Sequence, residues 1–211
     1  MSKTTIPTGG ITADAINATL IADDAISEEH LDATALTGNT ALAATPATTD
    51  EILISDAGTL KRIDFSFLMN RPQFHVNFGG SSSTSIAHDT GTKMLFDTEV
   101  FDTDNAYDPS TNYRFTPQVA GTYFFYGQIS SGSTTDYHNK YWICEIKKNG
   151  TAITTHNNQS SYYTSTRAIT VTDMNGSDDY VECFGYHTFG STVGTDASAL
   201  YSYFGGYRLV A

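Results

Sequence analysis

The aromatic residues of this chain all lie in its C-terminal part. The 211 residues include 12 Phe, 13 Tyr and one Trp, and the first of these is Phe65. A segment without aromatic side chains buries too little apolar surface to offset the conformational entropy that it loses on folding. This distribution predicts a hydrophobic core C-terminal to Phe65 and an N-terminal part that cannot build a core from one chain.

The chain is strongly acidic, with 11 Lys and Arg residues, 23 Asp and Glu residues and a formal net charge of -12. Nucleic acids and anionic membranes both attract basic surfaces. No apolar run approaches the roughly 20 residues of a membrane-spanning helix, and the N-terminus does not read as a secretory signal. We therefore expect no nucleic-acid partner and no membrane insertion.

Residues 1–36 carry a weak repeat, because the segment Ile11–Ile16 is echoed ten residues later by Ile21–Ile26. A short repeat of this kind closes a core only when several copies of the chain wrap around a common axis. We predict a stalk that also anchors the protein, and the alternative is a flexible acidic tail. The stalk prediction rests on the regular positions of Ile11, Ile16, Ile21, Ile26 and Leu31.

Residues 37–72 are predicted to form a collar between the stalk and the head. Asp50–Asp56 and Leu60–Phe65 have the composition of two short strands, and the turn between them contains Gly58. This pattern predicts a small β-hairpin. One helical turn over 66–70 is expected before Pro72.

Residues 73–211 are predicted to form an all-β head. They are rich in Tyr, Phe, Val, Ile and Thr, and short apolar alternations such as Trp142–Lys147 are separated by Gly, Asn and Ser turns. Asn149-Gly150 predicts a hairpin turn. Many short strands of this type indicate a sandwich or jelly roll. Cys144 and Cys183 lie in such alternations, so we expect two buried free thiols, with a disulfide as the alternative.

The head resembles the globular-head family of complement one-q and tumour necrosis factor. Asn105–Thr111, Phe115-Thr-Pro and Ala120–Phe125 are similar to the family signature, as are Ile146–Gly150 and the final strand Phe204–Leu209. The resemblance implies a jelly roll of about ten strands that forms a homotrimer.

The aromatic content of the head exceeds what one core of about 140 residues needs, so a second buried surface along a threefold axis is expected. We predict that five side chains are shared between core and axis, and the alternative for each is an ordinary core position. They are Tyr123, Phe125, Tyr201, Tyr203 and Phe204.

Two polar stretches, 130–139 and 155–166, are interpreted as loops that bind a receptor. They mix Tyr rings with side chains that form hydrogen bonds, a composition that is common in binding loops. The alternative is that they only keep the head soluble. The predicted binding residues are Tyr137, His138, Asn157, Asn158, Tyr162 and Tyr163.

No catalytic motif is present, and the Gly-x-Ser-x-Gly elbow is absent, so no enzymatic activity is expected. Asp102, Asp104 and Asp108 are a weak calcium candidate, because calcium prefers oxygen ligands. The alternative is a solvated acidic loop. No other metal or cofactor is expected.

The segments Ile21–Ile26 and Ile52–Arg62 resemble fibre proteins of tailed phages. This resemblance implies a homotrimeric virion fibre on the particle surface. Its N-terminus would bind other virion proteins, and its head would bind a glycan or protein of the host surface. Two alternatives remain: a capsid decoration (cement) protein that stabilises the shell, and a secreted bacterial adhesin with the same head.

Overall fold

The structure is a computed structural model that describes residues 37–69, 71–133, 135, 138–159 and 164–210. It separates two compact units, Met1–Leu68 and Met69–Ala211. The predicted stalk residues 1–36 lie outside the described residues.

The first unit contains the predicted hairpin. Strands β1 (Glu51–Asp56) and β2 (Thr59–Asp64) pair antiparallel and are followed by the short helix α1 (Phe65–Met69). The two turn residues, Ala57 and Gly58, have φ angles of 49° and 84°. Positive φ at both positions is the geometry of a type I′ turn, whose twist matches that of the strands. The hairpin and the helical turn are thus confirmed.

The second unit is an all-β domain built from two main antiparallel sheets. One has the order β11-β10-β13-β8-β7, with β5 also paired to β13, and the other has the order β12-β9-β15-β3-β6. A small third sheet joins β14 to β4. The strands are β3 (Gln73–Asn77), β4 (Ser85–Ile86), β5 (Thr92–Lys93), β6 (Thr98–Asp102), β7 (Tyr107–Asp108), β8 (Arg114–Phe115), β9 (Gly121–Ser130), β10 (Tyr141–Lys148), β11 (Thr151–Gln159), β12 (Ser165–Met174), β13 (Val181–His187), β14 (Val193–Gly194) and β15 (Tyr203–Val210).

Alternate side chains of the central strands fill the space between the two main sheets. Phe74 stacks on Phe115 with ring centroids 4.2 Å apart. The Trp142 indole is fully buried, and its Nε1–H donates to the carbonyl oxygen of Ile129 at 3.1 Å. Burying a side chain of this class contributes about 1.5–3 kcal/mol. The aromatic-rich core that the composition predicted is therefore present in a single chain.

Both cysteines are buried free thiols, as predicted. Their Sγ atoms lie 3.9 Å apart, and the hydrogen bond with Cys144 together with burial raises the pKa of the Cys183 thiol. Gly127 on the facing sheet makes room for the pair, since a Cβ atom there would lie 3.1 Å from the Cys183 sulfur.

The prediction of a loop over 155–166 is wrong at both ends, because residues 165–166 begin strand β12. Residues 155–159 belong to strand β11, which pairs with β10 along the edge of its sheet. The strand escaped prediction because an edge strand that is exposed along most of its length needs no apolar alternation. The last strand begins at Tyr203, after a turn over 199–201.

The two termini of the second unit lie at the same end of the sandwich. The first residue of β3, Gln73, pairs with Tyr207 near the end of β15. At the opposite end, β9 and β11 finish and β10, β12 and β15 begin. We call this opposite end the distal end. Within the described residues, no helix has the length and apolar character needed to cross a bilayer.

Candidate subunit interface and binding pocket

The five-stranded sheet carries aromatic side chains on both of its faces. In β9, Tyr123 and Phe125 point into the core and are fully buried, while Phe124 and Tyr126 lie on the other face. Successive side chains of a strand alternate between faces, so the run Thr122–Tyr126 must serve two surfaces. We call the face turned away from the core the outer face.

A cluster of rings lies at the centre of the outer face. His75 lies between Tyr126 and Tyr203, with ring centroids 5.9 Å and 5.5 Å away. Its Nδ1 is 3.0 Å from the Tyr126 hydroxyl. Burial lowers the pKa of His75 and raises the pKa of Tyr126. Both groups are therefore neutral near pH 7, and burying neutral groups in an interface costs less free energy than burying charged ones.

The margins of the outer face are apolar and exposed in a single chain. Ile169 and Val171 on the edge strand β12 are 55% and 54% exposed. Charged groups flank them on the same face of β12: the Arg167 guanidinium donates to the Gln128 side chain and to the Tyr203 hydroxyl, and the Asp173 carboxylate accepts from the Thr122 hydroxyl. A large exposed apolar patch of this kind marks an interaction surface. The other exposed apolar residues of this sheet include Phe101, Tyr207 and Leu209.

The structure divides the five side chains that were predicted to be shared between core and axis. Tyr123, Phe125 and Phe204 have almost no exposed surface in one chain, so they belong to the core alone. Tyr203 lies on the outer face, and Tyr201 is exposed in the turn before β15. The axis assignment is thus corrected for the three core residues, because a side chain on one face of a sheet cannot also line the other.

Sequence reasoning missed most of the outer face, which includes His75, Phe124, Tyr126 and Tyr207. The sequence did contain a usable signal, which is the alternation of side chains between the two faces of a strand. Once Tyr123 and Phe204 are assigned to the core, their strand neighbours at odd separation must point outward.

The described part of the predicted binding loops lies at the distal end. His138 is exposed in a turn before β10, and Asn157 and Asn158 lie near the end of β11. The Asn158 amide donates to the carbonyl oxygen of Ser165 and so ties β11 to β12. Asn157 has no side-chain hydrogen bond within the described part of the chain. Tyr137, Tyr162 and Tyr163 lie outside the described residues.

A pocket of about 330 Å³ also opens at the distal end, and the sequence did not reveal it. Ser165 donates to the Ser130 hydroxyl at 3.0 Å, and the Asp196 carboxylate accepts from the backbone N–H of Ser198. Tyr201 completes the lining with a half-exposed ring. The lining of this small-ligand-sized pocket combines hydroxyls and a carboxylate with a larger apolar area, which suits a ligand that carries both hydroxyl groups and an apolar face. These residues belong to separate parts of the sequence and come together only in the fold, so their spacing along the chain could not predict the pocket.

Two of the three acidic residues of the calcium candidate, Asp102 and Asp108, accept hydrogen bonds from nearby backbone. Asp102 accepts from the N–H groups of Tyr107 and Asp104. Asp108 accepts from the N–H groups of residues 110–112, and these bonds lower its pKa. Among the residues that the structure describes, no group of three or more His, Cys, Asp or Glu side chains could hold a metal ion. Calcium at these residues stays a prediction.

Two antiparallel sheets packed face to face, with one exposed apolar face, define this domain as a jelly-roll head. The sequence model of the C1q domain family matches residues 77–209, and the chain belongs to that family. The resemblance stated from the sequence is thus confirmed for the head. A search of curated protein sequences gave no match.

Several solved structures are similar to this chain. Murine APRIL is 12% identical with a TM-score of 0.49, and the alignment covers 66% of this chain and 100% of that one. The globular domain of zebrafish complement 1qA is 15% identical with a TM-score of 0.48, covering 66% and 98%. Eiger TNF from S. frugiperda is 12% identical with a TM-score of 0.46, covering 66% and 93%.

Proposed function

We propose that the chain is a homotrimeric virion fibre of a tailed phage, whose head binds a glycan or protein on a host surface. The observation that carries the proposal is the exposed apolar outer face of the five-stranded sheet. C1q and tumour necrosis factor domains are typically homotrimers with heads that often bind receptors. Burial of the outer face against two further copies would remove this apolar surface from water.

The distal end supports a binding role. The 330 Å³ pocket and the exposed Asn157 lie there, at the end farthest from the point where the chain enters the head. A trimer would present three such ends side by side. Weak binding at each site then becomes strong attachment, because the second and third contacts are intramolecular. The proposed role is adhesion without catalysis.

The N-terminal part supports the virion assignment. Its repeat and the segment Ile52–Arg62 resemble phage fibres, and the hairpin that the sequence predicts for that segment is present. Residues 1–36 would bind another virion protein. A cement protein would use the same fold differently, with its distal ends buried on the capsid instead of exposed.

The trimer is tested by the native mass of the full-length chain in light scattering. A mass near three times 22.9 kDa is expected. The variant Val171→Asp places a charge on the outer face and should lower this mass to that of the monomer. Ala152→Asp is the matched control, because Ala152 is exposed on β11 of the other sheet and should leave the trimer intact. A monomeric unmutated chain would refute the proposal.

The virion assignment is tested on particles with a gold-labelled antibody against the head. Label at the ends of fibres is the expected result. Label spread over the capsid surface would favour the cement protein, and particles without label would refute both roles.

A further inference from the structure

The hairpin of the first unit exposes two leucines on one face. Leu53 pairs with Arg62 and Leu60 pairs with Ser55, so both leucines lie on the same side and are diagonal neighbours. They are 67% and 68% exposed. We call this side the leucine face. On the other side, the half-exposed Ile52 and Ile54 lie with Ile63, which is less exposed.

The interactions within one chain do not explain why this hairpin would be stable. A lone two-stranded hairpin is marginally stable in water. The ion pairs Lys61–Asp56 and Arg62–Glu51 are exposed, and exposed ion pairs contribute little. The turn at Ala57-Gly58 fixes the register, but it does not cover the leucines. Among the residues that the structure describes, the hairpin therefore has a defined shape and nothing covers its leucine face.

The chain connection points to other copies of the same hairpin as that partner. Only residues 65–72 separate β2 from β3, the first strand of the head. A tether of this length spans at most about 29 Å when fully extended. In a head trimer, three hairpins would be confined near one another at an effective concentration in the millimolar range.

The charges beside the leucines are compatible with self-association. Arg62 and Glu51 lie on the leucine face and form an ion pair of 2.8 Å within one chain. Paired charges repel an approaching copy much less than unpaired charges of one sign would. The leucines are thus bordered by a neutralised pair, and Asp64, at the end of the face away from the turn, is the remaining charged residue on that face.

We infer that the leucine face binds the leucine faces of neighbouring copies, so that the hairpins form a trimeric collar. This inference rests on the proposed head trimer, which brings the copies together. The collar would give the trimer a second interface, separate from the outer face of the head sheet. It would also bring residues 1–50 of the three chains together at one place.

Crosslinking of the full-length chain tests the contact. The native cysteines are buried, so a cysteine introduced on the surface is the main reactive thiol in the folded protein. Leu60→Cys places a thiol on the leucine face, and the control Thr59→Cys places one on the opposite face of the same hairpin. With a short bismaleimide, Leu60→Cys should give covalent dimers on a denaturing gel at a yield at least tenfold above Thr59→Cys.

The outcomes separate this inference from the proposed function. If the chain is trimeric and Leu60→Cys crosslinks no better than Thr59→Cys, the collar contact is wrong and the head trimer stands. If the unmutated chain is monomeric, the proposed head trimer is wrong, and the collar, which rests on it, is wrong with it.

A second variant tests the same surface without crosslinking. Leu53→Ser/Leu60→Ser should keep the trimeric mass while proteolysis after Lys61 or Arg62 becomes about tenfold faster. Unchanged proteolysis in a trimer would mean that the leucines make no contact that protects the hairpin, and it would overturn the inference.

Discussion

At the scale of single residues, the close approach of strands β9 and β15 depends on two consecutive glycines. Gly206 faces the core, where a Cβ atom would lie 2.8 Å from the Phe124 carbonyl oxygen and would overlap the Phe125 ring. Gly205 faces outward beneath the Tyr126 ring. The pair lets large rings lie flat against the sheet on both sides.

Gly206→Ala is therefore expected to lower the free energy of unfolding by about 2 kcal/mol or more, the cost of overpacking a core against rigid backbone. Chemical denaturation at a fixed protein concentration measures it. The control is Gly194→Ala, where the nearest atom to a new Cβ is Ser83 Oγ at 3.9 Å, and a change within about 0.5 kcal/mol is expected. Equal effects at the two positions would contradict the steric argument.

His187 makes stability depend on pH. Its ring is buried and stacks on Trp142, its Nε2 donates to the Ile86 carbonyl oxygen, and its Nδ1 accepts from the Phe189 N–H. Both nitrogens are engaged as in a neutral imidazole. Burial lowers the pKa of His187. The unfolded chain, with a histidine pKa of about 6.5, binds a proton more readily than the folded chain does.

Stability is therefore full above about pH 6.5 and falls as the pH drops below that value. His75 acts in the same direction, because burial also lowers its pKa. His187→Phe keeps a ring in the stack and removes the titrating group. Denaturation at pH 7.5 and pH 5.0 should show a smaller loss of stability for this variant than for the unmutated chain. An unchanged pH dependence would show that His187 does not carry the effect.

At the scale of elements, the strands that alternate apolar and polar residues could be predicted, and the polar edge strand could not. β10 was visible because Trp142, Cys144 and Ile146 face the core at a period of two. β11 is exposed along most of its length. Its position is set by hydrogen bonds to β10, and it has no continuous buried face that a sequence pattern could reveal. The same holds for the distal pocket, whose polar residues come from separate strands and loops.

The turn between β7 and β8 is held by one carboxylate. Asp108 accepts hydrogen bonds from the N–H groups of Ser110, Thr111 and Asn112, and the bonds from Thr111 and Ser110 hold its pKa well below the usual range. A depressed carboxyl pKa gives stability that is present above the unfolded pKa of about 3.9 and is lost at lower pH.

Asp108→Ala is expected to cost about 1–2 kcal/mol of unfolding free energy at pH 7, as for the loss of a side-chain cap on several amides. The difference from the unmutated chain should shrink as the pH falls below about 3.9. Asp104→Ala is the control, because the Asp104 carboxylate accepts no hydrogen bond from the described residues, and it should be near neutral. A deficit that stays constant down to pH 2.5 would mean that the charge of Asp108 plays no part.

At the scale of the whole molecule, the uneven distribution of aromatic residues was enough to predict a head with one core. The N-terminal part that needs partners stays a prediction, because residues 1–36 lie outside the described residues. The distribution also predicted a surplus of aromatic surface. It could not decide which rings form the core and which the interface, because that depends on the register of β9 and β15. Tyr123 and Tyr126 differ by three residues and serve opposite faces.

Attachment through three heads makes a prediction that single-site binding does not. Fluorescently labelled protein is applied to a glycan array printed at high and low density. On the dense spots that bind the unmutated chain, monomeric Val171→Asp should lose about 100-fold in apparent affinity, because linked sites gain 10²–10⁴ from effective concentration. On sparse spots the two proteins should differ little, since each head then binds alone.

Tyr201→Ala separates recognition from avidity in the same assay. It removes the exposed ring of the distal pocket, so it should weaken binding by a similar factor at both densities while the mass stays trimeric. Ala152→Asp, trimeric and unaltered at the pocket, should match the unmutated chain throughout. If Val171→Asp bound dense spots as well as the trimer does, attachment would not depend on linked heads. Trimer formation would then contribute to the stalk and not to binding.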